Sequence, residues 1–184
     1  MQFFKHYDLE GRHAPFSPSK SSWLRYDDDL AIEYYVNMKA SELGTKLHEW
    51  AKKTIDLGIK QPRSKKTIYA YVNDAIGYQM DTEVVLYYSD NFFGTADAIS
   101  FRNNLLRIHD LKTGKIPAHI EQLEIYAALF CLEYKVRPSD IGMELRIYQN
   151  DEPPLVHIPT AEEITEIMNK IIHLDKVLGN AEAI

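Results

Sequence analysis

At Glu83 the spacing of apolar residues changes from every third or fourth position to every second, and after Leu111 it changes back. A chain patterned this way cannot be all helix or all sheet. Upstream of the change, Leu43, Leu47, Trp50, Ala51 and Thr54 recur at helical spacing and Gly58 supplies a stop, which predicts a helix over 41–57. On a wheel of about 100° per residue, Gly44, His48 and Ile55 fall on the flank of that stripe. Ile68, Tyr71, Val72, Ala75 and Ile76 predict a second helix over 67–79. Residues 83–88, 92–101 and 105–111 then alternate as strands, with Arg102-Asn103-Asn104 turning the last two into an antiparallel hairpin.

The helical period returns over 116–134, where Ile120, Leu123, Ala127, Phe130, Cys131 and Tyr134 form one stripe. Pro138 and Gly142 punctuate, and 143–148 alternates as a fourth strand. Thr160-Ala161-Glu162-Glu163 fits a capping box. It opens a last helix, ending near Gly179, with Ile164, Ile167, Met168, Ile171 and Ile172 inward. The expected fold class is α/β, a mixed sheet covered by helices. Near the start, Ser17-Pro18-Ser19 reads as a helix opening that leads through Trp23 and Leu24. Asp27-Asp28-Asp29 reads as a solvated turn and cap rather than a metal site. Lys60–Lys66 reads as a solvated basic loop, the alternative being a segment that contacts phosphate.

The 184 residues contain no repeat, low-complexity tract or flexible linker, so one domain over 1–184 is expected. With 45% hydrophobic and 26% charged residues the chain can bury a core, which argues against disorder. The longest apolar run, 127–132, is far below the roughly 20 residues of a membrane span, and the N-terminus lacks a secretory apolar segment. Cys131 stands alone, which excludes a disulfide framework, a four-cysteine zinc site and a cysteine-held iron–sulfur cluster, and a cytoplasmic location is expected. The net charge of −6 speaks against a protein that coats nucleic acid. It does not exclude a local basic groove beside carboxylates that a divalent ion neutralises.

The chemistry concentrates at Arg107-Ile108-His109-Asp110-Leu111-Lys112. Alternation puts Leu106, Ile108, Asp110 and Lys112 on one strand face, so apolar residues give way to a carboxylate and an ammonium at the strand's end. The carboxylate can hold a hard cation, and the ammonium can orient water or offset charge on a phosphate. By itself Asp-x-Lys carries little information, since about one such triplet arises by chance in a chain with 13 aspartates. Its neighbours add weight. A hairpin turning at 102–104 brings Asp97 within a few positions of Asp110. Like charges facing each other across a sheet are unfavourable, a conflict a divalent metal resolves, and Gly94, Ala96 and Ala98 leave it room. The alternative is that Asp97 bonds nearby backbone. His48 is a third candidate ligand, although a lone histidine beside an apolar stripe is more often a satisfied core-edge residue. Gln122 and Tyr126, one turn apart and off the core stripe, could hold substrate phosphate or water; the alternative is a solvated face.

Taken in order, Gly44-x-x-x-His48, Gly94-x-x-Asp97, Asp110-x-Lys112 and Gln122-x-x-x-Tyr126 resemble the PD-(D/E)xK nuclease superfamily, in particular its RecB-type branch, which includes CRISPR-adaptation nucleases and small phage-encoded proteins. The opening Phe16-Ser17-Pro18-Ser19 with Trp23 is similar to that branch too. The resemblance implies a restriction-endonuclease-like fold, a mixed β-sheet flanked by helices, with a core over about 16–148 and a C-terminal helix over about 160–178. It implies a metal-dependent DNA nuclease, with exonuclease action as the form suggested by the branch. His48, Asp97, Asp110 and the Leu111 carbonyl would bind Mg²⁺ or Mn²⁺. Lys112 would position or activate water, and Gln122 and Tyr126 would steady water and the DNA backbone. An imidazole ligand shifts preference toward Mn²⁺. Lys20, Arg25, Lys65, Lys66 and Lys115 are candidate backbone contacts. The partner would be DNA, single- or double-stranded, with self-association or a recombination or replication protein as further options, in host cytoplasm if phage-encoded. The alternatives are a binding or regulatory module that keeps the fold without turnover, and a structure-specific endonuclease. The chain departs from cluster-bearing relatives in lacking their four cysteines, and no helicase portion accompanies it.

Overall fold

The acidic triplet begins a helix. Asp27 Oδ1 accepts from the Leu30 amide at 2.9 Å, and helix α1 then runs over Asp28–Asp56. The computed structural model describes residues 14–19, 21–114 and 119–181. The helix is longer than the 41–57 expected, because the triplet caps it and 30–43 contains neither Gly nor Pro to stop it. Its buried positions are Gly44, Ala51, Thr54 and Ile55, whereas Leu43 and Trp50 are exposed. The inward stripe is thus rotated toward the flank that carries His48. At the far end Gly58 (φ 66°) donates to the Ile55 carbonyl and Ile59 to that of Thr54, closing the helix in a left-handed cap.

The chain gathers into two compact units, Met1–Thr45 and Lys46–Ile184, divided within α1. In the first unit, a 3-10 turn at Ser21–Arg25 stands where a helix is expected through Trp23 and Leu24. Phe16 packs against Trp23 and Tyr34 at ring separations of 6.2 and 5.8 Å, and Trp23 Nε1 donates to the Ser17 carbonyl at 2.9 Å.

The second unit is a five-stranded mixed sheet with helices on both faces, consistent with the restriction-endonuclease-like arrangement. Helix α2 (Thr67–Gly77) precedes strands β1 (Asp81–Ser89), β2 (Phe92–Arg102) and β3 (Leu105–Lys112). Helix α3 (Glu121–Tyr134), strand β4 (Gly142–Gln149), strand β5 (Leu155–His157) and helix α4 (Ala161–Ala181) follow. The spatial order is β1-β2-β3-β4-β5. All neighbours are antiparallel except β3 and β4, whose parallel pairing requires the crossover that α3 supplies. Asn103 and Asn104, at φ 52° and 57°, form the two-residue β2–β3 turn; asparagine tolerates this left-handed backbone. Of the helix expected over 116–134, residues 116–118 lie outside the described part; His119 and Ile120 are not helical.

One sheet face packs Leu106, Ile108 and Leu145 against Leu123, Ala127 and Cys131 of α3, with Ile164 and Ile171 of α4 joining the same core. Each fully buried Leu or Ile there contributes about 1.5–3 kcal/mol. Tyr134 and Ile172, expected inward, are exposed. The other face packs Ala98, Leu111 and Tyr148 against Ala51, Ile55, Tyr71, Val72 and Ala75. The capping box holds: the Thr160 amide donates to Glu163 at 2.7 Å and the Glu163 amide to Thr160 Oγ1 at 3.2 Å. Among the described residues, no helix is long and apolar enough to cross a membrane.

A polar network is sealed under α2. Tyr148 donates to Asp74 at 2.6 Å, Arg146 bonds Asp74 and the Tyr78 hydroxyl, and His109 Nδ1 lies 3.3 Å from the Tyr148 hydroxyl. Burial, and then the charges of Arg146 and Arg107, lower the His109 pKa from 6.5 to about 3. An unfolded chain takes up this proton near 6.5 and the folded chain near 3. The stabilisation from neutral His109 is therefore complete above about 6.5 and is lost as pH falls toward 3. The expected thermal midpoint declines over that interval, and His109→Gln flattens the decline, as a series of melts across pH would show.

Candidate functional site

Asp97 and Asp110 meet because β2 and β3 are zipped by a two-residue turn. Ala98 faces His109, so the next position along the ladder sets Asp97 beside Asp110. Asp97 Oδ2 accepts from the Leu111 amide at 3.0 Å and lies 3.5 Å from His48 Nδ1 on α1. Asp110, 4% exposed, is reached by the Lys112 ammonium, 3.2 Å from Oδ1 in a hydrogen bond and 3.0 Å from Oδ2. The Oδ2 contact lacks hydrogen-bond geometry, so this buried oxygen has no hydrogen-bond partner.

The period-2 face of β3 therefore ends as its sequence predicts, with Leu106 and Ile108 in the core and Asp110 and Lys112 at the rim. From there the contacts pass to α3: Lys112 Nζ donates to Gln122 Oε1 at 2.7 Å, and Gln122 Nε2 donates to the Tyr126 hydroxyl at 3.4 Å. The Tyr126 ring rests on Gly94, where a Cβ would come within 2.8 Å of Cε1. Helix α3 thus closes over β2 only because position 94 has no side chain.

Electrostatics mark the same spot. Burial raises the Asp97 pKa above its usual 3.8 and the neighbouring Asp110 charge raises it further, while the Leu111 amide, His48 and Lys112 act in the opposite direction. Tyr71 of α2, which the sequence assigns only to a core stripe, also belongs to this environment. Burial first, then the Asp97 and Asp110 charges, raise its pKa. No signal in helical spacing separates such a tyrosine from an ordinary core residue. Glu83, directly across β1 from the Asp97 level, has left-handed backbone (φ 50°) within a strand and lies 3.9 Å from Lys52 Nζ. This is a costly conformation for a side-chain-bearing residue.

Among the described residues, no three His, Cys, Asp or Glu side chains are grouped as a ready metal cage. The donor chemistry nevertheless fits a divalent cation: two carboxylates, one with its pKa raised by burial and then by the other's charge, one with a buried oxygen that lacks a hydrogen-bond partner, and an imidazole alongside. Of the candidate backbone contacts, Arg25, Lys65 and Lys66 are exposed, and Lys20 and Lys115 lie outside the described residues. Lys66 and Lys112 line one groove of about 490 Å³ together with Leu47, Ile68 and Asp151. Compared with protein-family models and with curated proteins, the chain matches none.

Proposed function

We propose that the chain is a metal-dependent DNA nuclease that hydrolyses phosphodiester bonds, with exonuclease action as its form. The supporting observation is the approach of two repelling carboxylates to each other beside a lysine that is itself held by Gln122. A purely structural site would need only the Lys112–Asp110 pair and no second acid beside it. His48, Asp97, Asp110 and the Leu111 carbonyl would hold Mg²⁺ or Mn²⁺. Such an ion supplies Lewis acidity, making an attacking water more acidic and offsetting charge on the phosphate. Lys112 orients the water and faces the charge that develops on phosphate oxygen. Gln122 fixes the ammonium by accepting from it. The Tyr126 hydroxyl, accepting from Gln122, keeps its own proton for a phosphate oxygen. Hydrolysis leaves one phosphate end and one hydroxyl end. DNA is the proposed partner and the cytoplasm the proposed location.

The test is a time course on end-labelled linear DNA and on closed circular DNA with Mn²⁺. Label loss from linear DNA that chelator stops, with circles intact, is the expected result; nicked circles would replace exonuclease by endonuclease action. Intact single-stranded, double-stranded and branched DNA would refute the proposal and favour a binding module without turnover.

Gly94→Ala probes the α3 half of the site. The added methyl must push the Tyr126 ring aside, shifting the hydroxyl and its Gln122 contact by a fraction of an ångström or more. The expected cleavage rate falls about ten- to a hundredfold, with the fold retained because a half-exposed ring can yield. Rates compared alongside thermal melts check this.

A further inference from the structure

We infer that the cleft at the far end of α3 is a docking site for an acidic segment of a partner protein, which inserts one large apolar side chain. The site is independent of the nuclease reading and shares none of its residues. The cleft, about 450 Å³, lies where the end of α3 and the 3-10 turn Pro138–Asp140 meet Thr165 and Met168 of α4. About 20 Å of helix separates it from Gln122 at the other end of α3.

Its floor is apolar. Cys131 and Pro138 are buried there, with Val136 and Met168 half-buried beside them. Burial raises the Cys131 pKa from 9.0 to about 11, so the thiol stays uncharged. The hydroxyls at the edge are spent within the chain: Thr165 Oγ1 donates to the Ala161 carbonyl at 2.6 Å and Ser139 Oγ to Asp140 at 3.2 Å. The volume is within the usual range for ligand pockets and accommodates one leucine or aromatic side chain.

Charge decides the occupant. The chain carries a net −6, yet the charged residues lining this cleft are Lys135 and Arg137, and among the described residues no carboxylate lines it. Asp140 accepts from Arg137 Nε at 2.8 Å, which leaves the two terminal nitrogens of the fork for a second carboxylate. Lys135 has left-handed backbone (φ 56°) at the position where glycine ends a helix without strain. A side chain kept there against that preference brings an ammonium to the rim. Cations around an apolar floor match carboxylates around an apolar anchor, the usual division between the rim and centre of an interface. A phosphate backbone would meet the cations and leave the floor empty.

The experiment measures fluorescence anisotropy of short labelled peptides with the intact chain. Each peptide is a run of aspartates around one central leucine, phenylalanine or tryptophan. Saturable binding of at least one is expected, weakened about tenfold or more when the centre is alanine or when asparagines replace the aspartates. Lys135→Gly removes the ammonium and relieves the backbone, so helical circular dichroism is retained while the Kd rises about three- to tenfold. Arg137→Gln, at a side chain 80% exposed, raises it by a similar factor. Failure of all three peptides to bind, affinity indifferent to the aspartates or to the central side chain, or equal affinity in Lys135→Gly overturns the inference. Binding of decanoate but of no peptide would assign the cleft to a small amphiphile and overturn it as well.

Discussion

Asp110→Asn is expected to lower metal-dependent cleavage by about 10³-fold or more while the protein stays folded. The substitution is nearly isosteric at a position that is 4% exposed, so packing against α3 survives. What disappears is one of two negative charges that would hold the cation, on the group whose Oδ2 has no hydrogen-bond partner. A second effect separates this account from simple damage. In the wild type, burial and the Asp110 charge raise Asp97 above the usual 3.8, so the folded chain binds that proton more tightly than the unfolded chain. Without divalent cation, this contribution to stability falls as pH rises from about 3.8 through the raised value. Asp110→Asn removes the neighbouring charge and shrinks that fall. Melts in chelator across pH, paired with cleavage rates in Mn²⁺, check both parts.

Lys112→Met is expected to reduce cleavage about 10²- to 10³-fold with a different signature. Methionine keeps most of the apolar stem and loses the ammonium that bonds Asp110 and Gln122. The ammonium competes with any cation for Asp110, so Mn²⁺ affinity should be retained or rise while turnover drops. In the absence of metal the two carboxylates lose their shared counter-charge. The variant should then be less stable by about 1–2 kcal/mol, a cost that saturating Mn²⁺ offsets. A titration of Mn²⁺ against thermal midpoint, alongside single-turnover cleavage, distinguishes this from loss of metal binding.

The parts of the site that follow from strand periodicity are legible in the chain itself. Asp110 and Lys112 share a face because side chains alternate, and Asp97 falls beside Asp110 because two asparagines allow a two-residue turn. The α1 contribution is harder to read. The stripe Leu43, Leu47, Trp50, Ala51 and Thr54 and its flank Gly44, His48 and Ile55 are both plausible inward lines. The fold takes from each, burying Ala51 and Thr54 of the stripe and Ile55 of the flank while Leu43 and Trp50 stay exposed. Tyr71 escapes notice because an aromatic at helical spacing gives no indication that two carboxylates sit near its hydroxyl. Strand β5 is hidden for another reason. Three residues after Pro153 and Pro154 are too short to display alternation, and their pairing with Leu145, Arg146 and Ile147 is decided by β4. The early start of α1 is hard to read because an aspartate triplet suits a solvated turn as well as the cap of a long helix.

Asp97 and Asp110 are proposed to bind one divalent ion together at the end of β3. The decisive measurement is calorimetric titration of Mn²⁺ into the intact chain and into Asp110→Asn. Saturable binding by the wild type, abolished or strongly weakened in the variant, is expected. Saturable binding of equal strength in both proteins, or none in the wild type, would contradict it.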